Sequence, residues 1–445
     1  MAVSEPTLNC LAAAISESTK ALTAYLEQNG HSPPSFEEGG LEQYPKNAMV
    51  TGLRFQLLEA ASDLYHLALG PADMGFLQPL FWNHDTTILD VLNRFGFFTS
   101  VPVGGSATYS DIAARTTLPE SLVRRILRHA ITMRLFDEKP PCSGKIVHTS
   151  TTAFMSKNPI WRSWVAHNME DMRPGIVYLP ESLKKFSAGM DVPSDDILQS
   201  GCAIADFDRV GHPSSLWEYL ERTPEGKPSD YRANRFAEAM QAAALSSAVK
   251  TDDLLTAYDW ERLGNATVVD VGGSSGHDAM NLARSFPLLK FVVQDQSANE
   301  ARFQSNLPAD LASRISFQTH DFFTPQPISA DVYMLKMILH DWPDKQAISI
   351  LQNLKQNIKP GAVILLCENV QPAAFDQEGN RVLPVTAHRV ASCLDLQMLA
   401  VFNNLERTIE QWDALIKDAD EHFEIRSVVT VPGSIQSILE VVLNF

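Results

Sequence analysis

The spacing of apolar residues changes partway along the chain. From residue 8 to about 256 they recur at helical intervals. The stretch LNCLAAAISESTKALTAYLEQNG closes in Asn29 and Gly30, a helix stop. Leu53 to Leu69 repeats Leu57, Leu58, Ala61, Leu64, Tyr65 and Ala68 along one face, and Thr87 to Phe95 predicts a further helix running into Gly96. Ser110 to Arg115 and Pro119 to Met133 predict a helix-turn-helix, with Pro119 suited to a first helical position. Leu135 to Asp137 and Ile146 to Thr149 then predict a two-stranded wing. Pro159 to about Thr256 reads as mostly helical and gathers Trp161, Trp164, Phe207, Trp217 and Tyr219, with Phe236 and Met240 one turn apart. The first helices carry more apolar surface than a hairpin can cover, so they are expected to pack on another domain or a second subunit.

Beyond residue 266 short apolar runs alternate with helices. Thr267 to Val271, Lys290 to Val293, Ile315 to Gln318, Asp331 to Ile338 and Ala362 to Cys367 read as buried strands. A helix carrying Met280, Leu282, Ala283 and Phe286 follows the first, and Ala347 to Ile358 is a helix stopped by Pro360 and Gly361. This alternation calls for a mostly parallel sheet covered on both faces, an α/β Rossmann-like fold. Glu424 to Val431 and Ser437 to Leu443, around Pro432 and Gly433, read as a closing antiparallel pair. The expected organisation is a helical and winged-helix region over 1–155, a helical linker lining a substrate over 156–256, and the α/β domain over 257–445.

In an open α/β sheet ligands sit beyond the carboxyl ends of the strands, and that rule draws Gly272, Asp295, Asp321, His340 and Glu368 into one crevice. Gly272, Gly273 and Gly276 follow Asp270 as D-x-G-x-x-x-G, between a strand and a helix, where glycine lets a ligand approach the main chain. A dinucleotide fingerprint ending at Gly276 needs glycine at 271, which is Val271. Asp295, at the end of the next strand, is placed to accept the hydroxyls of a ribose. His340 is the natural general base, since a free imidazole (pKa ~6.5) accepts a proton near neutrality while a phenol (pKa ~10) is a weak acid there. Glu368 or another carboxylate would hold the ring in one tautomer. A divalent metal on His340, Asp341 and Glu368 is the weaker reading, because carboxylate-rich sites space their oxygen ligands more closely. Phe236 and Met240 are candidates to line an apolar pocket.

Charge and composition narrow the partners. With 45% apolar and 20% charged residues the chain reads as globular, and no apolar run approaches the ~18 residues of a membrane span. No basic segment leads into a long apolar stretch at the start, so the expected location is the cytosol. A formal charge of −17 argues against nucleic acid or an anionic membrane as partner. The run Arg124, Arg125, Arg128 and His129 invites a DNA-binding regulator as rival, against which the acidity of the whole chain speaks. The five cysteines are scattered without a C-x-x-C pair and read as reduced thiols.

The motifs VVDVGGSSGH, VVQD, LKMILHDWPD, CENVQP and NNLERTIEQW, in that order over residues 266 to 415, resemble those of the plant and fungal small-molecule O-methyltransferases dependent on S-adenosylmethionine (SAM), such as those acting on caffeic acid and flavonoids. The resemblance, which extends over nearly the whole chain, implies that Gly272, with Gly273 and Gly276, forms the SAM loop. It implies a ribose contact at Asp295, an adenine surround at Asp321 and Phe322, and a role for Lys336 on the methionine or adenine side. His340 matches the catalytic base, and Glu368 and Glu406 match its flanking acids. Met240 matches a methionine that clamps an aromatic acceptor, with Phe236 and Trp342 counted beside it. A homodimer formed through the N-terminal region is implied as well. Ser274 and Ser275 depart from the common plant loop, and the N-terminal extension is longer. Some fungal relatives keep the fold without methylating and instead catalyse dehydration or pericyclic ring formation, so the same residues also fit that second activity.

Overall fold

The structure is a computed structural model that describes residues 6–45, 47–246, 252–379, 381–430 and 436–444. The chain forms two compact units, one of Met1–Pro174, Trp217–Ala248 and Pro384–Ala387, the other of Gly175–Leu216, Val249–Leu383 and His388–Phe445.

In the first unit a helix over Leu8–Gln28 packs on a second over Ala48–Arg94 through Leu22, Leu26 and Val50. The sequence pattern predicts two separate helices within the second span, and the span does hold two, joined at a kink, the second starting earlier than expected. Its one non-helical residue is Gly70 (φ 74°, ψ 164°), directly before Pro71. A proline that opens a new helical segment sacrifices no hydrogen bond, so the chain bends there and resumes. The helix-turn-helix forms over Tyr109–Thr116 and Glu120–Thr132, the first helix closed by a capping box between Thr108 and Asp111. Pro119 sits at the N-cap, one residue before the position expected of it. The wing has three strands, not two: β1 (Ala107–Thr108), β2 (Asp137–Glu138) and β3 (Lys145–Val147) pair antiparallel in the order β1-β3-β2. Two residues ahead of a capping box leave no apolar run for a sequence to display. In the basic run, Arg124 pairs with Glu120 at 2.6 Å and lies over the Tyr109 ring, and His129 meets Asp85 at 2.9 Å.

Further along this unit a helix over Pro159–Ala166 passes into a π-turn over His167–Met172. The turn presents a buried polar cluster. The Asp171 carboxylate accepts the Tyr219 hydroxyl at 2.9 Å, pairs with Arg235 and faces His167 Nδ1 at 3.2 Å, and Arg235 also bonds Glu170 at 2.8 Å. Burial, reinforced by the Asp171 charge, pushes the Tyr219 phenol up to about 12. Arg235 thereby pins the helix over Tyr231–Leu245 that carries Phe236 and Met240.

The second unit is built on a seven-stranded sheet of β4 (Thr267–Val271), β5 (Lys290–Asp295), β6 (Ile315–Thr319), β7 (Val332–Lys336), β8 (Val363–Asn369), β9 (Phe423–Thr430) and β10 (Gln436–Leu443), ordered β6-β5-β4-β7-β8-β10-β9. The first five are parallel, and β10 runs antiparallel between β8 and β9. Alternation along the parallel strands feeds two cores. Val268, Phe291, Val293, Met334 and Leu365 fill one face; Val269, Val271, Tyr333, Leu335 and Leu366 fill the other with Trp412. The turn containing Pro432 and Gly433 lies outside the described residues. The chain order reverses at β4, with β5 on one side and β7 on the other, so the ligand crevice of such a sheet falls at the carboxyl ends of β4 and β7. Among the described residues no helix is long and apolar enough to cross a membrane.

Candidate active site

The carboxyl end of β4 turns through Gly272 and Gly276, both at φ 75°, a left-handed conformation that side chains disfavour. Packing reinforces the requirement. A Cβ at Gly272 would lie 2.5 Å from Ile338 Cδ1, and one at Gly276 would lie 2.8 Å from the Phe303 ring. At Gly273 it would strike the Asp270 carboxylate, also at 2.5 Å. The loop is therefore pressed against the strand that bears it and against the segment leading to His340. Its N–H groups at Gly272 and Gly273 both donate to Gln294 O, and Ser274 N donates to Asp295 Oδ2 at 2.8 Å. Asp295 also accepts Gln296 N and Asn299 Nδ2 on Oδ1, each at 2.7 Å. Three bonds leave room on a carboxylate with about four lone-pair sites. The carboxylate thus joins the end of β5 to the glycine loop.

Beneath the loop lie three ionisable groups. Lys336, the last residue of β7, pairs with Asp278 at 2.7 Å in the first turn of the helix over His277–Ser285. Burial on its own would lower the Lys336 pKa, but the charge and hydrogen bond of Asp278, with smaller help from Cys367 and Asp270, together outweigh it and the pKa is raised. Asp270 is buried, and burial with the nearby Asp278 charge pushes its carboxyl up to about 8, a rise that Lys336 partly offsets. Asp270 Oδ2 has no protein hydrogen-bond partner. On the other flank Phe322 stands edge-on to Trp342 at 5.9 Å, and both rings contact Phe323. Asp321 Oδ1 accepts Phe323 N and so shapes that turn.

His340 sits in a short 3-10 turn over Leu339–Asp341, after Met337 (φ 54°) has broken β7 earlier than its apolar run predicts. Its ring is buried between two carboxylates: Nδ1 lies 3.2 Å from Glu406 Oε1 and Nε2 lies 3.4 Å from Asp341 Oδ1. Glu406 is thus the Nδ1 partner. Glu368, the acid first expected there, instead accepts the backbone N–H groups of Ile338 and Leu339 on Oε1, holding the turn and not the ring. Burial alone would lower the His340 pKa, but Asp341, Glu406 and Glu368 together raise it to about 10. Burial lifts Glu368 to about 7 and Asp341 to about 6, with the His340 charge opposing both rises.

The segment NNLER completes the frame in a way the sequence did not disclose. Asn404 Nδ2 donates to His340 O at 2.6 Å, and the buried Arg407 donates to Leu339 O and Trp342 O at 2.9 Å and to Asp344. Asn369 Nδ2 fixes Glu406 Oε1 at 3.0 Å. The structure brings together Gly272, Gly273, Gly276, Asp295, Phe322, Lys336, His340, Trp342, Glu368 and Glu406 within the second unit. Phe236 and Met240 belong to the first, where Phe236 packs edge-on to His167 and Trp217 and Met240 is 38% exposed.

A Rossmann-like unit with a glycine turn after β4, a carboxylate at the end of β5 and a histidine held by acids fits an enzyme that binds a nucleoside cofactor. Residues 208–420 match the family model described as the O-methyltransferase domain. The O-methyltransferase VdtC of Byssochlamys spectabilis is 34% identical over 446 residues, 98% of each chain. The chain belongs to the O-methyltransferase family, whose members draw the transferred methyl group from SAM. Solved structures repeat the fold. OxaC in complex with sinefungin and meleagrin aligns at TM-score 0.74 and 21% identity, over 97% of this chain and 99% of that one. LepI in complex with SAM, at 20% identity, and a structure described as a pericyclic reaction enzyme, at 19%, both align at TM-score 0.71 over 96% of this chain and 100% of theirs.

Proposed function

We propose that this protein transfers the methyl group of SAM to a hydroxyl of a small aromatic, polyketide or alkaloid secondary metabolite, with His340 as general base. The observation that carries the reading is the contact of the glycine loop with Ile338, two residues before a histidine held by Glu406. The cofactor-side residues fit a sulfonium nucleoside. Asp295 retains acceptor capacity for ribose hydroxyls, Phe322 offers an apolar face, and Asp270 Oδ2 is a buried acceptor without a partner for an ammonium group. When bound, SAM supplies an electrophilic methyl group. The protein's own work is to orient the acceptor oxygen and take its proton.

His340 suits that work thermodynamically. A base whose conjugate acid has a pKa of about 10 matches a phenol at ~10, so proton transfer between them is close to neutral in free energy once the ring has shed the proton that it holds at neutral pH. The raised pKa also leaves much of the histidine protonated at neutral pH. That favours a second reading, in which an imidazolium donates to a carbonyl of a polyketide or alkaloid and promotes dehydration or pericyclic ring formation. Incubation with SAM and candidate fungal metabolites, followed by mass spectrometry, separates the two. Added methyl mass with S-adenosylhomocysteine supports transfer; an isomer of unchanged mass supports the second reading.

Phe236, Met240 and Trp342 belong to this reading as acceptor contacts, and the helical and winged-helix region as the dimerising part. Leu58, Tyr65, Leu67, Phe76, Leu80, Phe81 and Trp82, all at least 41% exposed along the helix over Ala48–Arg94, support a homodimer, which light scattering at micromolar concentration tests. A cytosolic site of action completes the proposal.

A further inference from the structure

Both ring nitrogens of His340 face carboxylates, Nδ1 toward Glu406 at 3.2 Å and Nε2 toward Asp341 at 3.4 Å. A neutral imidazole has one N–H to donate, so it satisfies one of these acids and sets a lone pair against the other. A protonated ring satisfies both. The surroundings favour the protonated ring. From β8 come Glu368, whose Oε2 is buried without a partner, and Asn369, which is committed through Nδ2 to Glu406. From the segment after residue 402 come Glu406, whose Oε2 is likewise without a partner and whose N–H is bound by Asp395, then Asn404 on the His340 carbonyl and Arg407. Arg407 is already matched by Asp344, and Lys336 by Asp278. The acids around the ring outnumber the cations available to them, and the raised His340 pKa agrees.

We propose that Asp341 is a further positioning residue, which keeps a proton on His340 Nε2 until a cationic methyl donor enters the neighbouring glycine-loop site and that proton leaves to solvent. The inference rests on the cofactor reading given above. The glycine loop touches Ile338, and charge placed there acts on the imidazole through a buried, weakly screening interior. The donor thus converts His340 from an acid into the base that the acceptor hydroxyl needs. One N–H bond breaks, its electron pair stays on Nε2, and the proton goes to the buffer.

Calorimetry of the full chain at pH 7.5, repeated in buffers of different ionisation heat, counts the protons exchanged on binding. SAM and sinefungin, both cationic at the position of the methyl donor, are expected to release up to about one proton per site, and neutral S-adenosylhomocysteine far fewer. Asp341→Asn removes one acid from the ring, so its His340 is expected to hold its proton less tightly, and both the pH at which SAM-linked proton release is greatest and the rate profile are expected to shift toward lower pH. Equal release with SAM and S-adenosylhomocysteine in the unaltered protein overturns the proposal without recourse to a variant. So does an unchanged pH of greatest release in a folded Asp341→Asn protein. Failure of all three ligands to bind overturns the cofactor reading itself.

Discussion

The duties proposed for His340 and Asp295 are separate, and substitutions should separate them. His340→Gln keeps a side chain of similar reach but removes the proposed base, so turnover is expected to fall ~10²–10⁴-fold while SAM affinity, measured by calorimetry, holds or rises, because SAM no longer has a ring proton to displace. Asp295 has a double commitment, to the expected ribose and to Ser274 N, Gln296 N and Asn299. Asp295→Asn retains most of the local bonding but loses charge-assisted acceptance. It is expected to weaken SAM about tenfold, roughly 1.4 kcal/mol, with little change in melting temperature. Asp295→Ala should lose both affinity and stability. Arg407 is legible in the sequence only as part of a motif; its role depends on reaching Leu339 O and Trp342 O across more than 60 positions of chain, which no local pattern encodes. The pairing of Asp341 with Nε2 was hidden for the opposite reason, since neighbours in sequence do not reveal which way either side chain turns.

At the scale of elements, β4, β5, β7 and β8 were legible because each carries a short apolar run that is largely buried, whereas β6 alternates Ile315, Phe317 and polar residues and is only partly buried. The glycine turn was legible too, because nothing else ends a buried strand and opens a helix in so few residues. The first half of the helix that resumes at Pro71 was not, because Pro71 and Pro79 interrupt its pattern. Nor did the five-residue span of β7 follow from hydrophobicity, since Met337 and Ile338 continue the run while the backbone departs from it. Gly276→Ala tests the turn. Strain at φ 75° and the clash with Phe303 should destabilise the protein by about 1–3 kcal/mol, read as a lower urea midpoint, and weaken SAM in parallel.

For the whole molecule the buried acids set the response to pH. Asp270, Glu368 and Asp341 titrate at about 8, 7 and 6 in the folded chain, all above the ordinary carboxyl range. The native state therefore holds these protons more tightly than the unfolded one. Each contribution is complete below about pH 4 and is lost as pH rises through 6, 7 and 8. His340 has the same sign, complete below ~6.5 and lost as pH rises through 10. Asp420, lowered to about 2 chiefly by its hydrogen bond with Lys355, works in reverse and loses its contribution as pH falls through 2. Stability is thus expected to decline from about pH 4.5 toward pH 10. Glu368→Gln should flatten that decline between pH 5 and 7 in urea titrations.

The position of β10 has a bearing on how the sheet is assembled. Its register sets Ser437 opposite Glu368 on one side and Thr430 on the other, and β9 has no other neighbour in the sheet. The earlier-made strand therefore joins the sheet only through the later one, either after β10 has docked on β8 or with it as a hairpin. Hydrogen exchange during refolding should find β9 amides protected no sooner than those of β10, and a chain cut before residue 436 should leave the edge of β8, with Glu368 on it, open to water and to other unpaired strands.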